Sequence, residues 1–222
     1  MLKGKCRYID DTILRRALTN VYFIWGRGKT TIAEKLHKQY GYYVYSTDAA
    51  KDCHWEHVTP DIQPYMCRDY ESEYGVKSFW ELPRDVIADR ERHVQEEVTP
   101  MLITDLLALT KQHEIILCEG DLDYEAVIPI ASHAVYLRNC GKSFDWFARP
   151  DHGSLDSIRN RNDITETEKE RIIQNAYASV AGEESRLPDW VLYNKIHHID
   201  WDDSTGSDKT AMDTAEYFGF MK

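Results

Sequence analysis

The sequence predicts an α/β fold, doubly wound in three layers, with a parallel sheet between two sets of helices. Two observations predict it. Short apolar runs of strand type alternate with helical runs along the whole chain, without an internal repeat or a low-complexity segment. The 222 residues, 42% of them hydrophobic and 29% charged, are enough to bury the core of one globular domain spanning residues 1–222.

Five apolar runs predict strands, and the runs between them predict helices. The run EIILC, at residues 114–118, is continuously apolar, which is typical of a strand that is buried on both faces of a parallel sheet. The predicted strands are residues 21–25, 42–45, 114–118, 134–137 and 197–201. The predicted helices are residues 10–18, 29–40, 83–109, 125–130, 165–184 and 208–218.

Capping residues set the bounds of these helices. An acidic or hydroxyl side chain before the first turn accepts a free backbone N–H, a glycine ends a helix in the left-handed region, and a proline fits the first turn. The capping residues, in chain order, are Asp10 or Asp11, Gly41, Pro83, and Thr165 with Glu168 as a capping box.

The turn after the first strand predicts a nucleotide phosphate-binding loop. The residues of this loop and of the helix start are Gly26, Arg27, Gly28, Lys29, Thr30 and Thr31. A helix that starts directly after a glycine turn directs its free N–H groups and the positive end of its dipole at a phosphate. In such a loop Lys29 neutralises the β- and γ-phosphates, and the Thr30 hydroxyl is a ligand of Mg²⁺.

The loop is shorter than the pattern GxxxxGK[ST] requires. A glycine is needed five residues before Gly28, but that position is Phe23, inside the strand. Inserting three residues between Gly26 and Arg27 restores the pattern. Either three residues of a mobile loop are absent from the sequence, or the loop is truly shortened. An intact mass that matches 222 residues would show that the loop is truly shortened.

Acidic residues follow two other predicted strands. Asp48 follows the second strand, and Glu119 follows the third, with Gly120 and Asp121 behind it. Ligands of open α/β sheets bind at the carboxyl ends of strands. Asp48 is therefore the candidate that orients or deprotonates an acceptor hydroxyl, and Glu119 the candidate that holds Mg²⁺ through water or positions the acceptor. Asp121 is the weaker candidate, and the bland alternatives are a helix cap for Asp48 and a surface carboxylate for Glu119.

Two stretches interrupt the alternation of strands and helices. Residues 49–100 begin with a run rich in aromatic, acidic and turn residues, and we expect them to form a helical cap over the substrate. Residues 142–170 contain arginines in an irregular run and are the candidate lid. Arg159 and Arg161, together with Arg149, are the lid residues expected to bind the nucleotide phosphates, although a single arginine there is more often a solvated surface residue.

Charge, cysteine content and hydropathy exclude several classes of protein. The net charge of −11 disfavours a nucleic-acid binder, since phosphate backbones are bound mainly by clustered Lys and Arg. Five cysteines without a CxxC pair indicate free thiols in a reducing compartment. No run is long enough to span a membrane, and the N-terminus lacks a secretory apolar core. We therefore expect a cytoplasmic protein.

Several blocks of the chain resemble bacterial P-loop small-molecule kinases related to the shikimate, gluconate and nucleoside monophosphate kinases, a family often known only as ATP-binding proteins. The blocks are RYIDDTILRRALTNVYFI, GKTTIAEKL with YGYYVYSTD after it, SFWELPRDVI, MLITDLLAL, EIILCEG and AEYFG. The resemblance implies the sheet order 2-3-1-4-5, ATP with Mg²⁺ as cofactors, and a mobile lid. It matches Lys29 and Thr30 to the phosphate and magnesium residues. Asp48 matches the acid after the second strand, and Glu119 with Gly120 matches the EG after the third.

The predicted function is ATP-dependent phosphoryl transfer to a small-molecule acceptor, with Lys29, Asp48 and Glu119 as catalytic residues. The acceptor is a nucleoside or nucleotide, a sugar acid or a similar alcohol, and the acidic, aromatic-rich cap favours a neutral or cationic ring over a polyanion. The alternative is a non-catalytic ATP- or GTP-binding regulatory module, which a truly shortened loop favours. For partners we expect the small-molecule substrate, no nucleic acid, no membrane, and a monomer or a homodimer.

Overall fold

Helices cover both faces of a five-stranded parallel sheet in the part of the chain that the structure describes. This computed structural model describes residues 10–140, 155–181, 187–202 and 204–221. Its strands are β1 (Val21–Gly26), β2 (Tyr43–Ser46), β3 (Ile116–Glu119), β4 (His133–Asn139) and β5 (His197–Trp201). They pair in the order β2-β3-β1-β4-β5, and each pair is parallel. The predicted fold class and strand order are confirmed, and they are those of the P-loop NTPase fold.

Most of the helices lie where the hydrophobic periodicity predicts them. The helices of the described residues are α1 (Asp11–Ala17), α2 (Lys29–Tyr40), α3 (Thr47–Trp55), α4 (Tyr70–Tyr74), α5 (Arg84–Leu109), α6 (Tyr124–Val127), α7 (Asp156–Arg159), α8 (Glu166–Ala181), α9 (Asp189–Tyr193) and α10 (Gly206–Tyr217). The sequence does not predict α7 or α9, because helices of 4 and 5 residues are too short to show a periodicity. None of the described helices is both long and apolar enough to cross a membrane.

Local hydrogen bonds set several helix ends as predicted. The Asp10 side chain accepts the backbone N–H of Thr12 at 2.8 Å, before α1. Gly41 ends α2 with a φ of 72°. The Thr165 hydroxyl oxygen accepts the backbone N–H of Glu168 at 3.2 Å, at the start of α8. The two side chains accept N–H groups that the first turn of a helix leaves unpaired, and the glycine ends the helix by adopting a left-handed conformation.

The sheet separates two apolar cores. Alternate residues of β1 point to opposite faces, as the strand period of two requires. One core holds Phe23 and Trp25 together with α1 and α5, and the other holds Ile24 together with α2 and α10. Because β1 is buried on both faces and lies at the centre of the sheet, the turn that follows it lies at the centre of the carboxyl edge.

The helix α8 and the loop before it dock on the segment that leads into α5. The Asn175 side chain of α8 donates to the carbonyl oxygens of Trp80 and Leu82, at 3.0 and 3.1 Å. Arg161 forms an ion pair with Glu81, and both side chains are mostly buried. The described part of the candidate lid therefore contacts the candidate cap.

A glycine is required where the end of β1 meets β4. Gly26 has a φ of 86° and lies level with Leu137 in the strand register. A Cβ atom added to Gly26 would lie 2.2 Å from the carbonyl oxygen of Leu137. No side chain fits there, because the backbone of a paired strand cannot move aside as a flexible side chain can. Only glycine allows the end of β1 to approach β4 this closely.

Replacing Gly26 by Ala should destabilise the protein far more than replacing Gly41 by Ala. Both glycines have a positive φ, so each alanine suffers a left-handed strain of about 1 kcal/mol. An added Cβ at Gly41 meets nothing within 4 Å, whereas Gly26→Ala adds the clash with Leu137. We expect Gly26→Ala to lower the free energy of unfolding by more than about 3 kcal/mol. Urea-induced unfolding measures both variants, and equal losses would contradict the contact.

Candidate functional site

Several elements meet at the carboxyl edge of the sheet. β3 lies between β1 and β2, so its last residue, Glu119, is level with Ile24 of β1 and with Ser46 of β2. The turn after β1 leads into α2, and β2 leads directly into α3. The amino ends of both helices therefore lie beside the carboxyl end of β3. This is the position at which open α/β sheets bind ligands.

A hydroxyl and a buried carboxylate are joined at this edge. The Thr30 hydroxyl donates to Oε2 of Glu119 at 2.8 Å. Glu119 is 1% exposed, whereas Thr30, in the first turn of α2, lies at the surface, as does Thr31 beside it. A buried carboxylate needs hydrogen-bond donors or a cation to offset its lost hydration. Thr30 and Glu119 are oxygen ligands of the kind that Mg²⁺ prefers.

Lys29 forms an ion pair with Asp121, the weaker of the acidic candidates after the third predicted strand. Its Nζ lies 3.6 Å from Oδ1 of Asp121, and 17% of the lysine side chain is exposed. The Tyr124 hydroxyl donates to the same carboxylate oxygen at 3.3 Å. Burial, and then the Asp121 charge, raise the pKa of Tyr124 well above its usual value, so this hydroxyl keeps its proton. Asp121 thus holds both Lys29 and Tyr124 at the site.

Asp48 lies in the first turn of α3, at the same edge of the sheet. The residue that precedes the helix is Ser46, so Asp48 does not cap it. The alternative interpretation of Asp48 as a helix cap is therefore wrong. Its carboxylate lies 3.7 Å from Nζ of Lys51, one turn further along α3. The Asp48 charge contributes to the raised pKa of Tyr124, which places the two residues within electrostatic range of each other.

The start of α3 touches the loop after β3 through Thr47 and Gly120. The Thr47 hydroxyl donates to the backbone carbonyl of Asp121 at 3.2 Å. A Cβ atom added to Gly120, whose φ is 124°, would lie 1.9 Å from the Thr47 hydroxyl oxygen. The glycine that the sequence associates with a ligand therefore allows close contact between a helix start and a loop of the chain itself.

The loop between β1 and α2 has two residues, and its backbone is bonded to the neighbouring strands. The Arg27 N–H donates to the carbonyl oxygen of Leu137 at 2.9 Å, and the Trp201 indole N–H donates to the Arg27 carbonyl at 3.1 Å. The Trp201 ring also covers Gly28, since a Cβ added there would lie 2.8 Å from it. The chain thus closes this turn without additional residues. Only its position at the end of a predicted strand distinguishes Trp201 in the sequence.

The Arg27 side chain is half-buried near Asp121. Its guanidinium lies within electrostatic range of the Asp121 carboxylate and of the hydroxyls of Tyr124 and Tyr136. Burial lowers the pKa of Arg27, and the Asp121 charge opposes this shift. An arginine stays protonated at neutral pH under such conditions. Lys29 is thus paired with Asp121, and the Arg27 guanidinium lies within electrostatic range of the same carboxylate.

The described lid arginines form ion pairs outside this cluster. Arg159 lies 3.3 Å from an aspartate of its own helix, α7. Arg161 is bonded to Glu81 and, at 2.9 Å, to Asp163. None of these partners belongs to the loop or to the strand ends. Arg149, like the first part of the candidate lid, lies outside the described residues.

The described residues fit a magnesium nucleotide in part. α2 begins at Lys29 without a side-chain cap, so the N–H groups of its first turn face the site. Three His, Cys, Asp or Glu side chains that converge on one point are not found among the described residues. Mg²⁺ would therefore be held by Thr30, Glu119, phosphate oxygens and water, as is common for this ion. The loop does not fit the nucleotide in one respect. Its backbone N–H groups cannot surround a phosphate, because the Arg27 N–H is bonded to β4.

Comparison with known proteins finds distant structural similarity to solved proteins and no match of sequence. No protein-family model matches the chain, and no curated protein matches it. Among solved structures, the chain is similar to the dephospho-CoA kinase from Campylobacter jejuni, with 10% sequence identity, coverage of 90% of this chain and 96% of that chain, and a TM-score of 0.39. A likeness at this level carries no conclusion about function. The functional inference therefore rests on the geometry of the site.

Thr30→Val should destabilise the protein, because it removes the hydroxyl that donates to buried Glu119. Leaving a buried acceptor without its donor costs about 1–3 kcal/mol. Thr30→Ser keeps the donor and should recover most of this loss. Thr31→Val is the matched control, since it makes the same substitution at the exposed neighbour. Guanidinium-induced unfolding without nucleotide measures all three, and equal stability of Thr30→Val and Thr31→Val would refute the role of the bond.

Proposed function

We propose that this protein transfers a phosphoryl group from ATP, with Mg²⁺, to a small-molecule acceptor. The observation that carries the proposal is the 2.8 Å hydrogen bond between Thr30 and buried Glu119, next to Lys29 at the amino end of α2. A hydroxyl on a buried carboxylate, a lysine and a helix amino end are the groups that metal and phosphate binding need. Membership of the P-loop small-molecule kinases is part of the same proposal.

Each donor-side group has a role that follows from its position. Lys29 and the N–H groups of the first turn of α2 bind the phosphates of the donor. Thr30 and Glu119 hold Mg²⁺, which supplies charge neutralisation at the transferred group. Asp121 keeps the Lys29 ammonium beside the helix end, at 3.6 Å, so that little reorganisation is needed when a phosphate arrives.

The acceptor-side roles belong to α3 and to the regions around it. Asp48 is the proposed group that orients or deprotonates the acceptor hydroxyl, since its charge acts on the same tyrosine that contacts Asp121. Residues 49–100 are the proposed cap over the acceptor, and residues 142–170 the proposed lid. Nucleosides, nucleotides, sugar acids and similar alcohols are the acceptor classes to screen.

One observation favours a second function, which is nucleotide binding without catalysis. The N–H of Arg27 is bonded to Leu137 and its carbonyl to Trp201, so this loop cannot wrap a β-phosphate with successive backbone N–H groups. A protein with such a loop could act as a regulatory module that senses ATP or GTP. Nucleotide binding without turnover on any acceptor supports this second function, and phosphoryl transfer to one acceptor excludes it.

Lys29→Ala should abolish phosphoryl transfer and weaken ATP binding while the fold stays intact. The variant loses the charge that neutralises the phosphates, whereas the loss of a partly exposed ion pair costs at most about 1 kcal/mol. Lys35→Ala, further along α2, is the matched control and should behave like the wild-type protein. Isothermal titration with ATP and a screen of metabolite pools for ATP-dependent phosphorylation measure both. Undiminished activity of Lys29→Ala would refute the central assignment.

ATP binding should depend strongly on Mg²⁺ in the wild-type protein and weakly in Glu119→Gln. Without the metal, the buried Glu119 carboxylate repels the phosphates that approach Thr30. Glutamine keeps the size of the side chain and an acceptor for the Thr30 hydroxyl, but it removes the charge. Titrations in Mg²⁺ and in EDTA give the ratio of the two ATP dissociation constants for each protein. The same ratio in both proteins would count against Glu119 as the metal-binding group.

A further inference from the structure

We propose that the guanidinium of Arg27 is a phosphate ligand that replaces the backbone N–H groups which the two-residue loop lacks. The inference rests on the proposed function, because it assigns a donor-binding role to a side chain of the same site. It goes beyond the loop pattern, in which this position contributes only its backbone.

The backbone of the loop is too short to surround a phosphate. In a longer loop, successive N–H groups form a concave nest that surrounds a phosphate. Here the chain passes from Gly26 to Gly28 through Arg27 alone, and the Arg27 N–H already donates to the carbonyl of Leu137 at 2.9 Å. The close approach of Gly26 to the same carbonyl holds the turn there. The backbone of this loop therefore cannot provide the nest.

The Arg27 guanidinium has enough hydrogen-bond donors to replace the missing backbone N–H groups. A guanidinium has five N–H donors in a rigid planar fork that matches the oxygens of a phosphate. Three inserted loop residues would supply three backbone N–H groups. One arginine side chain thus offers at least as many donors as the shortened loop has lost, and its bonds to phosphate are charge-assisted.

The Arg27 side chain starts from a backbone that is fixed on both sides. Hydrogen bonds to Leu137 and from Trp201 hold the Arg27 backbone on both sides, so the side chain leaves from a fixed point. The side chain is half-buried and lies within electrostatic range of Asp121, whose carboxylate lies 3.6 Å from Nζ of Lys29. Lys29 and Arg27 flank the two-residue turn at the amino end of α2. A triphosphate that binds at this helix end would meet both cations.

Aromatic rings limit the access of water to this space. Tyr124 and Tyr136 lie near the guanidinium, and Trp190 stacks on Tyr124 at a centroid distance of 4.2 Å. Tyr136 meets the same indole edge-on at 5.6 Å. Attraction between a guanidinium and a phosphate is stronger beside such apolar surfaces than in open water.

The lid arginines for which the sequence predicts this role are bonded elsewhere. Arg161 binds Glu81 and Asp163, and Arg159 binds an aspartate of its own helix. Among the described residues, the loop and the start of α2 supply the cations nearest to the end of β3. Arg27 is the residue of that loop with a cationic side chain, directly before Gly28 and Lys29.

Isothermal titration of the full chain tests the role of Arg27. The probes are Mg²⁺ with ATP, with ADP and with inorganic triphosphate, and the variants are Arg27→Ala, Arg27→Lys and Arg16→Ala. Arg27→Ala should weaken the binding of all three probes by about 10- to 100-fold, the effect of losing charge-assisted hydrogen bonds. Arg27→Lys should recover only part of this, since an ammonium cannot present a fork. Arg16→Ala, at an exposed arginine of α1, should bind like the wild-type protein.

The outcomes separate this inference from the function on which it rests. Wild-type affinity of Arg27→Ala overturns the role of Arg27 and leaves the proposed function standing. Absence of nucleotide binding by the wild-type protein overturns the proposed function itself. If Arg27→Ala does not fold, as its melting curve shows, the wild-type protein is modified with phenylglyoxal and mapped by mass spectrometry. Triphosphate should then protect Arg27 and not Arg16, and equal modification of Arg27 with and without triphosphate overturns the inference.

Discussion

The two-residue turn between β1 and α2 is the constraint on which the rest of the site depends. Gly26 lies against the Leu137 carbonyl and Gly28 lies under the Trp201 ring, so neither position has room for a side chain. The turn determines where α2 begins, and thereby which side chains face the end of β3. Because each residue rotates a helix by about 100°, a start one residue later would direct Thr30 away from Glu119.

The cluster at the carboxyl edge has balanced charges within a strongly acidic chain. Arg27 and Lys29 are offset by Glu119 and Asp121, although the chain as a whole carries a net charge of −11. Mg²⁺ and a triphosphate bring charges of opposite sign, one complementary to Glu119 and the other to the two cations. Local pairing of this kind reconciles an acidic composition with the proposed binding of a polyanionic donor, since exposed charges beyond a Debye length of about 8 Å are largely screened.

The described part of the candidate lid and the candidate cap are joined by both polar and apolar contacts. Leu155 packs with Trp80, and the Lys77 ammonium donates to Asp163 at 2.7 Å. An arginine that the sequence assigns to nucleotide binding, Arg161, instead joins these two regions through Glu81. A displacement of one region would therefore break buried contacts unless the other region moved with it.

The sequence by itself determined the strands, most of the helices and the order of the candidate residues at the start of α2. A strand buried on both faces leaves a continuous apolar run, and residues that bind a phosphate at a helix start are neighbours in the chain, so Lys29 and Thr30 are recognisable from local order. The strand order followed from the resemblance to P-loop kinases, and Glu119 from its position after a strand. Tertiary structure alone decided the pairing of Lys29 with Asp121 and the bond from Trp201 to Arg27. That bond joins residues 174 positions apart, and no local pattern records a contact between segments that only folding brings together.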